Sequence, residues 1–408
     1  MSKNIKVYYG LPKKVEFCKK CVMSNQRPIS TAEFKHTIES KKSTINFDDE
    51  GVCDACRFAE YKDKINWQER EKELLELLDK HRRNDGHYDC IVPGSGGKDS
   101  AFASHILKYK YGMNPLTVTW PPILYTDYGY ENFKNWFDIG GFDNITFNQN
   151  GRVMRLLTKL SIENLFHPFQ TFILGQKNIA PKLSLKYNIP LIFYGENEAE
   201  YGNPIADNDS SLREKSFYSM KNIDNMYLGG VSVKKLIKDY GLRLSDLRSY
   251  LPADYRELEK SNIEVHYLGY YLKWTPQENY YYSVENTGFK SRPFRSQGTY
   301  SKYNSIDDKI DDLHYYTTYI KFGIGRATYD ASQEIRNKHI TREEGKALVK
   351  RFDGEFPDKY FDEVMNYIGM KKKDFLDLCD KFRSPHLWKK TSRGWRLRHT
   401  VNLDGTDD

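Results

Sequence analysis

The sequence carries its most specific chemical pattern in residues 88–103. An apolar run, Cys90-Ile-Val-Pro, leads into a loop of small residues that is followed at once by a lysine and an aspartate. Small residues allow backbone N–H groups to close around a phosphate, and the start of a helix adds partial positive charge there. We therefore interpret six consecutive residues as a nucleotide-binding loop: Ser95, Gly96, Gly97, Lys98, Asp99 and Ser100.

The order of residues in this loop differs from that of the kinase-type phosphate loop. That loop has the pattern Gly-x4-Gly-Lys-Ser/Thr, with its lysine near the end. Here the order is Ser-Gly-Gly-Lys-Asp-Ser, which is similar to the pyrophosphate loop of enzymes that cleave ATP to AMP and pyrophosphate. A glycine-containing surface turn is the alternative interpretation. The apolar run before the loop and the helical pattern after it favour a phosphate site.

Four of the six cysteines form two pairs near the N-terminus, Cys18-Lys-Lys-Cys21 and Cys53-Asp-Ala-Cys56. In a reducing cytosol, such pairs are typical of four thiolates around one zinc ion. Four thiolates leave no open coordination position, so we expect a structural metal, whose binding energy of about 10–16 kcal/mol would fold a short polar segment. A redox dithiol or an iron–sulfur cluster is the alternative.

Carboxylates follow a second apolar run, Leu191-Ile-Phe-Tyr194, which ends in Gly195-Glu196-Asn-Glu. Mg²⁺ offsets the charge of ATP phosphates and takes one or two carboxylates together with phosphate oxygens. Glu196 is the preferred Mg²⁺ ligand because it comes first after the strand, and Asp99 is the second candidate. The alternative is a solvated acidic loop.

Two cations flank a glycine-containing turn, Lys321-Phe-Gly-Ile-Gly-Arg326. Fixed cations at such a position could clamp departing pyrophosphate or bind an acidic substrate. An ordinary basic surface turn is the alternative. Further polar side chains, in His167-Pro-Phe-Gln170 and Gln176-Lys177, are expected to line the same site or to serve in packing.

Alternating strand and helix patterns must position these residues. We predict strands at 90–92, 116–120, 144–147 and 190–194, and helices at 100–110, 130–139 and across 153–187. That alternation predicts an α/β fold with a parallel sheet and helices on both faces, in which ligands bind beyond the carboxyl ends of the strands. The predicted domains are a cysteine module at 1–64, a nucleotide domain at 65–275 and a mainly helical region at 276–408.

Bulk composition narrows the function classes. The 408 residues carry a net charge of +7 without a long basic run, which suits an enzyme that handles phosphorylated, acidic ligands. No apolar run approaches the roughly 20 residues that span a bilayer, and the first residues lack a signal-peptide core. We expect a soluble, cytoplasmic protein with no membrane partner and no nucleic-acid partner.

The whole chain resembles the N-acetyl sugar amidotransferases of bacterial surface-polysaccharide and nonulosonic-acid biosynthesis, a branch of the PP-loop ATP pyrophosphatases. The resemblance rests on the two cysteine pairs with their flanks, the loop Ser95–Ser100, Tyr194-Gly-Glu-Asn, and Phe322-Gly-Ile-Gly-Arg326 with the downstream Thr341-Arg-Glu-Glu. It implies an adenine nucleotide alpha-hydrolase-like fold that uses ATP and Mg²⁺, with structural Zn²⁺ at Cys18, Cys21, Cys53 and Cys56.

The resemblance also implies a reaction. The amide oxygen of an acetamido sugar or nucleotide sugar attacks the α-phosphorus of ATP, and ammonia then displaces AMP to leave an acetamidino sugar. The residues expected to act in catalysis are Lys98, Asp99, Glu196, Lys321 and Arg326.

We expect the ammonia to come from outside the chain. The residue after the initiator methionine is Ser2 rather than a cysteine, Cys90 lies in a predicted strand, and Cys379 lies in a charged helix. None of these positions suits a glutaminase nucleophile. The resemblance implies partners similar to the glutaminase and cyclase subunits of imidazole glycerol phosphate synthase, with free ammonia as the alternative source.

Two other functions remain open from the sequence. A tRNA-modifying PP-loop enzyme of the thiolase or lysidine synthase type would be expected to show a basic RNA-binding patch or a catalytic cysteine pair near the loop. A zinc-bearing scaffold without catalysis would not need Lys98 and Asp99.

Overall fold

The computed structural model describes residues 5–30, 37–195, 198–201, 203, 210–213, 215, 218–221 and 226–402. The helices are α1 Asp54–Lys62, α2 Trp67–His81, α3 Lys98–Tyr109, α4 Asp127–Asp138, α5 Gly151–Leu165, α6 Gln170–Tyr187, α7 Val233–Tyr240, α8 Leu244–Leu247, α9 Tyr255–Lys260, α10 Leu268–Tyr271, α11 Pro276–Thr287, α12 Asp311–Phe322, α13 Arg326–Arg336, α14 Arg342–Phe352, α15 Asp358–Ile368 and α16 Lys372–Phe382, with a 3-10 turn at Glu198–Tyr201. The strands are β1 Cys90–Pro93, β2 Pro115–Thr119, β3 Asn144–Thr146, β4 Leu191–Tyr194, β5 Ser219–Met220, β6 Tyr227–Leu228, β7 Val231–Ser232, β8 Ala253–Asp254, β9 Glu264–Tyr267, β10 Trp388–Thr391 and β11 Gly394–Leu397.

The central element is a five-stranded sheet in the order β3-β2-β1-β4-β9, and each neighbouring pair is parallel. The first four strands confirm the sequence prediction, and no bound differs from the predicted one by more than one residue. The fifth strand, β9, was not predicted, because its sequence Glu-Val-His-Tyr has no apolar run. It is held by pairing with β4, in which Ile192 lies opposite Val265.

Both faces of the sheet are buried, which explains why its strands read as continuous apolar runs. In β1, Cys90 and Val92 pack with the side chains of α3, whereas Ile91 packs on the opposite face with α5 and α6. Cys90 thus lies in a strand, as predicted, and its side chain belongs to the core. The phosphate loop leaves the carboxyl end of β1, and α3 begins directly after it.

The N-terminal cysteine module is continuous with the C-terminal helices. Its four cysteines belong to the same buried cluster as Phe166 and Phe375. The Arg342 guanidinium donates to the carbonyl oxygens of Cys21 and Cys18, at 3.0 and 3.2 Å. A module of this size has little core of its own, so the C-terminal helices supply much of its packing.

The C-terminal region is mainly helical, as predicted, with helices α11–α16. Thr341 and Glu344 form a capping box at the head of α14. An antiparallel hairpin of β10 and β11 follows the helices and was not foreseen from the sequence. Among the helices described, none has the length and apolar character needed to cross a bilayer.

Candidate nucleotide and acceptor site

The phosphate loop is shaped by close backbone approach. Gly96 has a φ of +83°, and a Cβ atom added there would lie 2.8 Å from Cα of Phe133 in α4. Gly97 is the N-cap of α3, and no side chain caps this helix. The first-turn N–H groups of α3 are therefore left for a ligand, and the helix dipole favours an anion at this point.

Lys98 and Asp99 face each other at the head of α3. The Lys98 ammonium donates to Oδ2 of Asp99 at 2.5 Å. The other carboxylate oxygen of Asp99, Oδ1, is buried and has no hydrogen-bond partner among the described residues. An orphaned buried carboxylate oxygen beside a phosphate loop is the type of donor that Mg²⁺ binds, so Asp99 fits this ion.

Ser100 does not cap helix α3. It is the third residue of α3, and its hydroxyl donates back to the Gly97 carbonyl oxygen at 3.1 Å. This hydrogen bond ties the first turn of α3 to the phosphate loop. Ser100 also lines the cavity described next.

A cavity of about 650 Å³ opens beside the loop and extends to the C-terminal region. Five of the six loop residues line it. The sixth, Gly96, lies against α4 instead. The other predicted site residues on its wall are Gln176, Lys177 and Arg326. Glu196 lies outside the described residues. His167 and Gln170 are not part of the lining, and Gln170 Oε1 accepts from the Gly229 N–H at 2.9 Å.

Lys321 and Arg326, which the sequence grouped as a pair, are separated by the structure. The Lys321 side chain is 1% exposed, and its ammonium donates to the Leu165 carbonyl oxygen at 2.6 Å. It lies among aromatic rings, including that of Tyr9 at 5.7 Å. Lys321 does not line the cavity. The prediction that Lys321 and Arg326 form a two-cation clamp is therefore wrong for Lys321. Its ammonium is buried in the core, where its hydrogen bond to Leu165 links α12 to α5.

Arg326 lines the cavity and is fixed by its neighbours. Its Nε lies 2.8 Å from Oδ1 of Asp330, and its Nη1 donates to the Tyr315 hydroxyl at 2.6 Å. Asp330 in turn accepts from the Thr299 hydroxyl at 2.6 Å. This arrangement orients a guanidinium at the wall, where it can recognise an anionic group of a ligand.

The most important residues that sequence reasoning missed are the aspartates of the segment 305–311. The Ser95 hydroxyl of the phosphate loop donates to Oδ2 of Asp307 at 2.7 Å. Asp308 and Asp311 also line the cavity, and burial raises the pKa of Asp308 to about 7. Burial, together with the charges of Asp307 and Asp308, raises the pKa of Asp311 well above its usual value. The only signal in the sequence was the density of carboxylates shortly before Lys321.

Backbone pairing holds this acidic segment against the nucleotide domain. The Thr126 N–H donates to the Asp307 carbonyl oxygen at 3.0 Å, and the Lys309 N–H donates to the Leu124 carbonyl oxygen at 2.8 Å. Oδ2 of Asp308 accepts from the Ile123 N–H at 2.5 Å. We call this contact between residues 123–126 and 305–309 the seam.

Aromatic side chains form the remaining walls. Trp120 lies directly after β2 and stacks on Phe147 with ring centroids 5.7 Å apart. Its Nε1 is buried without a hydrogen-bond partner among the described residues. Tyr267 lines the cavity together with Tyr194 and Phe169. Flat rings and a few polar groups suit a ligand that carries a base or a sugar.

The four cysteines of the predicted metal site lie together in one cluster. The Sγ atoms of Cys18, Cys21, Cys53 and Cys56 all lie within 4.8 Å of one another and are buried. Cys18 and Cys56 are 3.8 Å apart, and Cys21 and Cys53 are 3.7 Å apart. Four sulfurs at about 2.3 Å from one tetrahedral ion would be about 3.8 Å from each other. The donor set therefore fits a single tetrahedral ion.

Backbone N–H groups point to these sulfurs as well. The N–H groups of Cys21 and Cys53 donate to Cys18 Sγ at 3.5 and 3.4 Å. Hydrogen bonds from the side chains of Cys21, Cys53 and Cys56 hold the pKa of the Cys18 thiol well below its usual value. Such donors stabilise thiolate, which is the form that binds metal.

A family model and a curated protein each match part of the chain. Residues 297–402 match the family described as "LPS biosynthesis protein WbpG-like, C-terminal domain". For residues 297–402, this match agrees with the resemblance to surface-polysaccharide biosynthesis proteins that the sequence indicated. A stretch of 83 residues is 39% identical to "Uncharacterized protein MJ1599" of Methanocaldococcus jannaschii, and it covers 20% of this chain and 29% of that protein.

Two solved structures are also similar. One is the NMN synthetase of Francisella tularensis, with 14% identity and a TM-score of 0.25 over 56% of this chain and 89% of that chain. The other is the U34-tRNA thiolase NcsA of Methanococcus maripaludis with its [4Fe-4S] cluster, with 12% identity and a TM-score of 0.30 over 79% of this chain and 90% of that chain.

Proposed function

We propose that this chain, whose residues 297–402 form a WbpG-like C-terminal domain, is an ATP-dependent amidotransferase that converts an acetamido sugar into an acetamidino sugar. The observation that carries the proposal is the shared cavity: the phosphate loop and the Asp307–Gln333 part of the WbpG-like region line the same 650 Å³ space. An ATP-using loop therefore lies against the part of the chain that is related to polysaccharide biosynthesis.

The proposed chemistry begins with the amide oxygen of the N-acetyl group. Resonance gives the amide C–N bond partial double-bond character, which makes its carbon a poor electrophile. Attack of the oxygen on the α-phosphorus of ATP yields an O-adenylyl imidate and releases pyrophosphate. Ammonia then attacks the carbon, and AMP leaves. The proposal needs positioned reactants and charge stabilisation rather than a side-chain nucleophile.

The chain's own residues have defined parts in this proposal. Backbone N–H groups of the loop and the Lys98 ammonium hold the departing β- and γ-phosphates. Arg326 binds an anionic group on the acceptor sugar. Asp99 would hold Mg²⁺ through Oδ1, and the ion supplies positive charge to the phosphates when bound. The four cysteines would hold structural Zn²⁺, since their spacing fits tetrahedral thiolate coordination.

Ammonia is proposed to arrive from a partner. Of the two cysteines outside the cluster, Cys90 lies within β1 and Cys379 within α16, both are buried, and burial raises the pKa of both thiols. Neither suits a glutaminase nucleophile, which needs an accessible thiolate. We propose a glutaminase with a cyclase-like subunit, similar to those of imidazole glycerol phosphate synthase, as the source.

The experiment that tests the function supplies the purified protein with ATP, ammonium and a panel of acetamido sugars, both free and nucleotide-linked. We expect AMP and pyrophosphate, together with the small mass decrease that accompanies exchange of an amide oxygen for NH. Lys98→Ala should reduce AMP formation by roughly 100- to 1,000-fold, the usual cost of removing a preorganised charge-stabilising donor. Lys108→Ala, near the other end of the same helix and outside the cavity lining, is the matched control.

Other products would contradict the proposal. ADP in place of AMP would show that the loop does not direct attack to the α-phosphorus. AMP formation that depends on added tRNA, with RNA that co-purifies and dissociates steeply with salt, would favour a tRNA-modifying enzyme. No nucleotide turnover with any acetamido sugar would favour a non-catalytic scaffold.

A further inference from the structure

Helix α12 brings a histidine to the cavity wall. His314 lies one turn after Asp311, and both residues line the cavity. The imidazole of His314 stacks on that of His167, with centroids 4.8 Å apart and an interplanar angle of 28°. The ring of Phe169 meets it edge-on at 5.3 Å. The ring is therefore held in a defined orientation by packing.

Among the described residues, ring packing alone holds the imidazole of His314. Nδ1 of His314 is buried without a hydrogen-bond partner there. His386 differs from His314, because both of its ring nitrogens have hydrogen-bond partners. Its Nδ1 lies 2.6 Å from the Ser384 hydroxyl, and its Nε2 lies 3.1 Å from Oε1 of Gln26. Buried polar groups are normally paired, so an orphaned imidazole nitrogen on a residue that lines the cavity indicates a role toward a ligand.

The charge state of His314 suits a base. Burial holds its pKa well below the usual value, and the charges of His167, Arg326 and Lys321 act in the same direction. The carboxylate that lines the cavity on its own helix is Asp311. A neutral imidazole keeps one nitrogen able to accept a proton. Bound nucleotide brings negative charge into the cavity, which strengthens that nitrogen as a proton acceptor.

We propose that His314 is the general base of the second half-reaction, and that it takes a proton from ammonia as ammonia attacks the adenylylated amide carbon. This inference rests on the proposed amidotransferase function. The nitrogen lone pair of ammonia forms the new C–N bond to the protonated imidate, and one of its three protons moves to His314. The C–O bond to AMP then breaks, and its electron pair leaves with AMP.

The atoms and charges balance in this step. The original amide nitrogen keeps its proton, the new nitrogen keeps two, and the product is an amidinium cation. His314 afterwards passes its proton to pyrophosphate or water and returns to the neutral form. Without the base, the added nitrogen stays an ammonium group. It then leaves the tetrahedral adduct more readily than AMP does, and the imidate is regenerated.

The test separates the two half-reactions. Sugar-dependent exchange of labelled pyrophosphate into ATP, without ammonium, reports formation of the adenylylated amide alone. His314→Gln should keep this exchange within about two-fold of wild type, while amidine formation falls by roughly 100-fold or more. His105→Gln is the matched control, because His105 is hydrogen-bonded to Tyr282 and does not line the cavity. It should retain both activities.

A second variant keeps the proposal testable if glutamine disturbs the packing. His314→Gly opens space for free imidazole, which should restore part of amidine formation without changing the exchange rate. Amidine formation at the wild-type rate by His314→Gln would overturn the inference. Equal loss of exchange and amidine formation, or no rescue by imidazole, would show a binding or packing role instead. Absence of sugar-dependent exchange in the wild-type protein would overturn the proposed function itself.

Discussion

Two independent constraints require glycine at position 96. Its φ of +83° lies in the left-handed region, which costs a residue with a side chain about 1–2 kcal/mol. Its Cβ position is also occupied, at 2.8 Å, by the backbone of Phe133. The first constraint affects stability alone. The second affects the shape of the phosphate loop, because either the loop or α4 must move.

Gly96→Ala and Gly86→Ala separate these constraints. Gly86 has a φ of +81°, and nothing lies within 4 Å of its Cβ position. We expect both variants to lose about 1–2 kcal/mol in the free energy of unfolding, measured by urea denaturation. Gly96→Ala alone should lose ATP binding, measured by titration calorimetry. Equal ATP affinity in the two variants would show that the contact with Phe133 does not shape the loop.

At the scale of elements, the cysteine cluster is connected to the sheet by α1. Cys53 is the N-cap of this helix and Cys56 lies in its first turn. At its other end, the buried Lys62 ammonium lies 2.6 Å from Oε1 of Glu200, in the turn that follows β4, and donates to the Trp274 carbonyl oxygen at 2.9 Å. The bound metal would therefore anchor one end of a helix whose other end fixes a loop at the cavity edge.

Cys53→Ser should abolish metal binding and disrupt the connection that α1 makes between the cysteine cluster and the sheet. A structural zinc ion contributes folding energy directly, so we expect a destabilised, aggregation-prone protein without bound metal. Elemental analysis should find one zinc per wild-type chain, and Cys379→Ala should retain it. A brown protein with bound iron would favour the iron–sulfur alternative, whereas a stable, active, metal-free Cys53→Ser variant would show that the cluster has no structural role.

At the scale of the whole molecule, the seam joins two regions that are almost 200 residues apart in sequence. It brings buried carboxylates to the junction, and burial raises the pKa of the neighbouring Asp312 to about 6. Because its folded-state pKa exceeds the unfolded value of about 4, the folded state binds the proton more tightly. The stabilisation from Asp312 is thus fully present below about pH 4 and lost as the pH rises to about 6.

Asp312→Asn removes this titration. Relative to wild type, the variant should gain about 2–3 kcal/mol in the free energy of unfolding between pH 4 and pH 6, at 1.36 kcal/mol per pKa unit. Burial lowers the pKa of His266 and His386 to about 4, so these groups act in the opposite sense, and the difference between variant and wild type isolates Asp312. Urea denaturation at several pH values measures it. The prediction would be contradicted if the free energy of unfolding changed equally with pH in the variant and in the wild type.

The sequence by itself determined the local features of this protein. The phosphate loop, the two cysteine pairs and strands β1–β4 were all predicted, because each depends on residue type and spacing within about a dozen positions. Backbone sterics, thiolate chemistry and the burial of both sheet faces act at that range.

Only the tertiary structure decided which distant residues meet. Ser95 and Asp307 are 212 positions apart, and their hydrogen bond depends on the pairing of residues 123–126 with 305–309. Lys321 and Arg326 are neighbours in sequence, yet one is buried against Leu165 and the other lines the cavity. A helix end and a glycine turn lie between them, and the direction in which each side chain leaves the backbone is set by the core that forms around it.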